Sequence, residues 1–123
     1  MTTRNVSDFI DRQKKLAHVL QKKGFDAMAV NPGPSLPYLT GLHFHMSERP
    51  VVVVFSPNQE PIIVLPELEM LKLKELSYEV QAFPYGENPA TWVRRFKSAL
   101  EAGDLLGGRI GVEPRALRFL EMN

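Results

Sequence analysis

The sequence predicts an α/β fold in three layers, a mixed β-sheet flanked by helices on both faces. Two observations carry that prediction. The first is the apolar run Val51-Val52-Val53-Val54-Phe55, whose β-branched residues favour a strand and whose lack of alternation implies burial on both faces. The second is the order of the patterns, in which helical segments alternate with short apolar strands and one tight connection makes a hairpin.

A first helix is expected from Ser7 or Asp8, with Asp8 and Asp11 in its first turn. Phe9, Gln13, Leu16, Ala17 and Leu20 recur at helical spacing and form one largely apolar face. Arg12, Lys14, Lys15, Lys22 and Lys23 fall mostly elsewhere and read as a solvated face. Gly24 supplies the left-handed stop. Ala27–Val30 is a short buried strand, and Asn31-Pro32-Gly33-Pro34-Ser35 is turn chemistry. Ser35 then caps one helical turn reaching Leu39, with Gly41 as its terminator. Residues 42–50 carry no clear period.

Beyond the valine strand, Ser56-Pro57-Asn58-Gln59-Glu60 is a turn and Pro61–Leu65 is the next strand. The connection is too short for a parallel crossover, so the pair is an antiparallel hairpin. Pro66 opens a helix with Glu67 and Glu69 early and Lys72 and Lys74 late, matching the helix dipole. Tyr78–Phe83 is a further strand, stopped by Pro84-Tyr85-Gly86. Asn88-Pro89 is a cap followed by proline at the first helical position, and Trp92, Val93, Phe96, Ala99 and Leu100 give that helix its stripe. Arg109–Val112 is a last short strand. Glu113-Pro114 opens a helix bearing Leu117 and Leu120, which at barely two turns needs outside packing and reads as a cut within a longer protein.

Composition narrows the function classes. The 123 residues, 44% hydrophobic and 24% charged, are those of one ordinary domain. A net charge of +1 gives no electrostatic case for nucleic acid or an anionic membrane. There is no cysteine, hence no disulfide framework, thiolate zinc site or cysteine nucleophile. No signal-peptide pattern and no bilayer-length apolar run is present, so a cytoplasmic location is expected.

Catalytic motifs are missing from the pattern. Gly107-Gly108 and Gly111 precede and enter a strand instead of opening a helix after one, so they read as turn and close-packing positions, not a phosphate loop. No serine lies in a nucleophile elbow. Glu67 and Glu69, two apart on a helix, do not face each other. Met28, Trp92 and Phe96 sit at core spacings.

His43-x-His45 is the sharpest local feature. On an extended chain both imidazoles point to one side, and zinc would need a third ligand, for which Glu48, Glu67 and Glu69 qualify by type. Ordinary loop packing is the simpler account, and a third option joins the histidines with Arg49 in binding a polar or anionic group. Arg49 suits a bidentate clamp on a carboxylate, against a surface ion pair with Glu48 or Glu67.

The succession Gly24-Phe25-Asp26-Ala27-Met28-Ala29-Val30, Asn31-Pro32, Tyr38-Leu39-Thr40-Gly41, Arg49-Pro50 before the valine strand, Val64-Leu65-Pro66-Glu67-Leu68-Glu69 and Arg109-Ile110-Gly111-Val112-Glu113 resembles the N-terminal domain of the creatinase / Xaa-Pro peptidase (prolidase, aminopeptidase P) family. The resemblance runs from about Arg12 to Leu120. It implies a ribonuclease H-like N-terminal domain over residues 1–123, without catalytic or metal-binding residues of its own. A C-terminal pita-bread metallopeptidase domain, absent from this chain, would hold two divalent metal ions (Mn, Co or Zn). The domain would contribute to a homodimer and close the active site over proline-containing peptides. By position, His43, His45 and Arg49 are the expected substrate contacts. The resemblance leaves open a creatinase-like amidinohydrolase, with Phe44 and Arg49 near the substrate carboxylate, and a non-enzymatic interaction module.

Overall fold

The computed structural model describes residues 6–32, 35–42, 50–57, 59–76 and 78–112. In chain order the elements are α1 (Val6–Lys23), β1 (Ala27–Val30), α2 (Ser35–Thr40), β2 (Val52–Phe55), β3 (Ile62–Pro66), a 3₁₀ helix (Glu67–Glu75), β4 (Gln81–Tyr85), α3 (Pro89–Ala102) and β5 (Ile110–Val112). The strands form one sheet in the order β4-β3-β2-β1-β5. The valine strand β2 is its centre, antiparallel to both neighbours, with Met28 opposite Phe55 and Val53 opposite Ile63. β1 and β5 pair in parallel, as do β3 and β4. The sheet is therefore mixed, with β2 running against the other four strands.

Every residue of β2 and β3 is buried, and the pleat deals their side chains to two cores. Val52, Val54, Ile62 and Val64 join Ala27, Ala29 and Tyr85 beneath Trp92, Phe96 and Ala99 of α3. Trp92 and Phe96, one helical turn apart, stack with ring centroids 5.4 Å apart. On the opposite face Val51, Val53, Phe55, Ile63 and Leu65 meet Leu36 and Leu39 of α2, with Leu16, Met70 and Leu73 packed against them. Burial of large apolar side chains stabilises by about 1.5–3 kcal/mol each, so the central strands anchor both layers.

The ends follow local chemistry. Gly24 (φ 77°) stops α1 and Gly41 (φ 82°) stops α2, the left-handed conformation that glycine adopts without strain. Asn88 Oδ1 accepts from the Ala90 amide at 3.0 Å, with proline at the start of α3. Asp26 clasps β5 to β1: its Oδ2 accepts from the Arg109 amide at 2.8 Å and its own amide donates to the Arg109 carbonyl at 2.7 Å.

Four details differ from the sequence reading. The segment after Pro66 is a nine-residue 3₁₀ helix, not an α-helix. Its core-facing residues Met70, Leu73 and Leu76 recur every three positions, the 3₁₀ period. The fourth strand starts three residues later than expected and runs through Pro84 and Tyr85. Proline is tolerated there because β4 is an edge strand and need donate to only one neighbour. Val93, assigned to the α3 stripe, is 42% exposed. Arg12, assigned to a solvated face, is half-buried, its guanidinium 4.3 Å from the Tyr38 ring centroid and 5.5 Å from that of Phe9. The expected helix from Glu113 lies outside the described residues.

Candidate functional site

The parallel strands β1, β3, β4 and β5 point their carboxyl ends to one edge of the sheet, where ligands of open α/β sheets characteristically bind. That edge carries Asn31 after β1, Glu67 after β3 and Gly86 after β4. The chain enters β2 there too, through Pro50 and Val51. His43, His45 and Arg49 lie outside the described residues, as do Phe44 and Glu48. The residues that fix both ends of their segment are described.

Upstream, the exit from α2 is held at three successive carbonyls. A helix leaves its last carbonyls without internal partners, and side chains from distant elements supply them here. The Arg12 guanidinium donates to the Tyr38 carbonyl at 2.9 Å, and the Gln13 amide donates to that of Leu39 at 2.9 Å. The Tyr78 hydroxyl donates to the Thr40 carbonyl at 2.7 Å. Thr40 is 2% exposed. Its hydroxyl donates to the Leu36 carbonyl at 2.7 Å and accepts from the Leu42 amide at 3.0 Å. Gly41 lies under Phe9: a β-carbon there would stand 2.9 Å from the Phe9 ring tip. Thr40-Gly41 is thus a rigid corner that aims the chain.

Burial pushes the Tyr78 phenol up to about 12, with a side-chain hydrogen bond from Gln13 acting the other way. The hydroxyl therefore stays a donor well above neutral pH. Downstream, the Tyr85 hydroxyl donates to the Pro50 carbonyl at 2.6 Å, and Val51 sits in the core. The segment between Leu42 and Pro50 thus departs from one fixed point and returns to another.

Asn31 is 1% exposed, and its side-chain nitrogen has no hydrogen-bond partner among the described residues. Glu67 sits beside Gly86, its carboxylate 3.8 Å from where a β-carbon of that glycine would be. Glu69 bonds instead to Lys72 at 3.2 Å, so the two glutamates do not form an acid/base pair. Among the described residues no group of three histidine, aspartate or glutamate side chains could hold a metal ion. No helix among them is long and apolar enough to cross a membrane.

Two surface clefts lie elsewhere. One of about 350 Å³ opens between Gln13 and Lys14 of α1, the Ser56–Pro61 turn and Tyr78, at the amino ends of β3 and β4. A second of about 330 Å³ lies between α1 and α2 over Met28 and Val30. Both are chiefly apolar; the first is remote from the carboxyl edge, whereas the second reaches Val30 at the carboxyl end of β1 and Tyr38 and Leu39 at the exit from α2. Arg12, Gln13, Tyr78 and Tyr85 are the anchors that sequence reasoning missed. Their partners are 26 to 38 residues away in the chain, where no local pattern reports them.

The family model described as Creatinase/Prolidase N-terminal domain matches residues 12–123. No curated protein sequence matches the chain significantly. Among solved structures the chain is similar to dipeptidase PepE of Mycobacterium ulcerans, with a TM-score of 0.71 and 22% identity over 98% of this chain and 38% of that one. A dipeptidase of Pyrococcus horikoshii OT3 gives a TM-score of 0.69 and 28% identity, covering 84% of this chain and 28% of the other. The N-terminal domain of an Xaa-Pro dipeptidase from Lactobacillus brevis gives 0.72 at 18% identity, covering 83% and 75%. The chain thus spans about a third of the length of the first two.

Proposed function

The chain belongs to the Creatinase/Prolidase N-terminal domain family, and on that premise we propose that it is the non-catalytic N-terminal domain of a cytoplasmic Xaa-Pro dipeptidase or aminopeptidase. In this reading residues 1–123 form one domain whose first partner is its own C-terminal metallopeptidase domain, which holds the two divalent metal ions (Mn, Co or Zn). The parent is a homodimer, and the N-terminal domain helps to close the active site over proline-containing peptides. His43, His45 and Arg49 contact the substrate, with Arg49 clamping a carboxylate in the bidentate geometry that guanidinium favours.

The observation that carries the reading is the pair of anchors at the carboxyl edge. The Thr40–Leu42 corner is fixed by Tyr78 and by the Thr40 hydroxyl, and Pro50 is fixed by Tyr85. Such fixing makes the short segment between them suited to presenting side chains to a neighbouring domain at low entropic cost. Dipeptidases among the similar structures favour a peptide over a creatine-like substrate.

The test is steady-state kinetics of the full-length protein on Xaa-Pro dipeptides and longer Xaa-Pro peptides. Arg49→Ala should raise KM about tenfold or more with kcat little changed, the loss of a charge-assisted hydrogen bond. His43→Ala and His45→Ala should shift the preference between short and long peptides, and residues 1–123 alone should be inactive. Hydrolysis by the isolated chain, or an unchanged KM for Arg49→Ala, overturns the proposal.

A further inference from the structure

The cleft between α1 and α2 is built from two periodicities. Arg12, Lys15, Leu16 and Val19 line it from α1, at the i, i+3, i+4, i+7 spacing of a single helical stripe. Met28 and Val30 line it from β1, alternate residues that a strand turns to one face. Tyr38, 56% exposed, lines it from the last turn of α2. Its volume of about 330 Å³ lies at the low end of the range of about 300–1,000 Å³ for ligand pockets, which suits one side chain and its end group. Val30 is the last residue of β1, so the cleft adjoins the carboxyl edge, beside the fixed corner at Thr40-Gly41.

The lining says what fits it. Val19 is 45% exposed and Leu16 and Met28 are half-buried, so the fold leaves apolar surface in water here. Of the two cations, Arg12 is committed to the carbonyl and ring of Tyr38, and Lys15, exposed, is the charge at the rim. No acidic residue is among the described residues that line the cleft. An apolar body bearing one carboxylate complements that pattern, and a peptide ends in such a group wherever its last residue is apolar. We infer that this cleft is a subsite for the C-terminal residue of peptides longer than a dipeptide. It takes the apolar side chain against Val19 and Met28, whose flexible thioether adapts to different shapes, and the terminal carboxylate on the Lys15 ammonium, whose long stem lets it follow the ligand. On an Xaa-Pro dipeptide the carboxylate belongs to the proline, whereas added residues carry it further away, so a cation apart from Arg49 then has a task. The inference rests on the peptidase reading above and names the substrate class: longer Xaa-Pro peptides that end in a large apolar residue.

The experiment is steady-state kinetics of the full-length protein on three matched peptides: Ala-Pro-Gly-Phe, Ala-Pro-Gly-Ser and the C-terminal amide of Ala-Pro-Gly-Phe. For the wild type, KM for the phenylalanine acid should be about tenfold below that for the serine peptide and about fivefold below that for the amide. The three kcat values should agree, because a remote contact made equally in ground and transition states moves KM alone. Lys15→Glu should abolish the preference for acid over amide and keep that for phenylalanine over serine. Val19→Ser should cut the preference for phenylalanine about threefold and keep that for acid over amide. A general loss of folding would move all three substrates together, so the crossed pattern belongs to a binding site. A wild type that treats the three peptides alike, a Lys15→Glu protein that still prefers the acid, or a Val19→Ser protein with an undiminished preference for phenylalanine overturns the subsite and leaves the peptidase reading standing on its dipeptide assay. Hydrolysis of no Xaa-Pro peptide overturns both.

Discussion

Tyr78→Phe tests the anchor upstream of the expected substrate contacts, because it removes one oxygen and preserves the ring. The Thr40 carbonyl that receives the hydroxyl at 2.7 Å belongs to a residue 2% exposed, so water cannot readily replace the lost donor. A hydrogen bond contributes about 0.5–1.5 kcal/mol net, and an acceptor left buried and unpaired costs about 1–3 kcal/mol. At pH 7 we expect a loss of about 1–2 kcal/mol by urea denaturation. For a chain of this size that is a fall in Tm of about 4–10 °C. The pH dependence supplies an independent check. Below pH 10 the phenol is protonated in both folded and unfolded chains, and the full difference between wild type and variant is present. From pH 10 the unfolded phenol ionises while the folded one, pushed up to about 12 by burial, holds its proton. The unfolded state then binds fewer protons, so wild-type stability falls as pH rises through this window. Phenylalanine has nothing to ionise, so the gap between the proteins should narrow as pH rises from 10 towards 12. A gap that stays constant across that range, or no gap at pH 7, refutes the account of this anchor.

Further outcomes follow from single contacts. Gly41→Ala should destabilise by about 1–3 kcal/mol, since residue 41 has φ 82° and its β-carbon would press on Phe9 at 2.9 Å. Thermal melts of Gly41→Ala with and without Phe9→Leu check this, and the paired variant should recover part of the loss. Ile63→Ala, at a site 1% exposed, should cost about 2–5 kcal/mol in a urea titration, the range for large-to-small core changes. Asn88→Ala should cost about 1 kcal/mol in the same assay, because the amide of Ala90 loses its cap.

The centre of the fold was legible because burial on both faces leaves a mark that needs no context. Five apolar residues in a row cannot be a half-exposed strand, and β2 is indeed the middle of the sheet. The edge was less legible. A strand with one neighbour tolerates Pro84, so the end of β4 reads as a turn in sequence although the strand runs on to Tyr85. The period of three in Leu68, Leu71 and in Met70, Leu73, Leu76 stands openly in the sequence. Acidic and basic ends that suit any helix dipole hid it behind the more common α-helical reading.

The site divides in the same way. Thr40-Gly41 announces a turn by composition alone, yet what makes the corner rigid is the convergence of Arg12, Gln13 and Tyr78 on three consecutive carbonyls. These side chains come from helix α1 and from the approach to β4, and each spends its polar atom on a backbone group far away in the chain. Periodicity places such residues on a face but does not say which distant carbonyl they will reach. Arg12 shows the consequence: counted with the lysines as a solvated cation, it is instead stacked on Tyr38 and bonded to its carbonyl. Its charge contributes to the geometry of the corner and not to a basic patch. A search for function that scored only clustered charge would therefore weight α1 for a binding role that its most buried cation does not have. The anchors favour the carboxyl edge instead, where the fixed corner and the bond from Tyr85 to Pro50 hold the two ends of the segment bearing His43, His45 and Arg49.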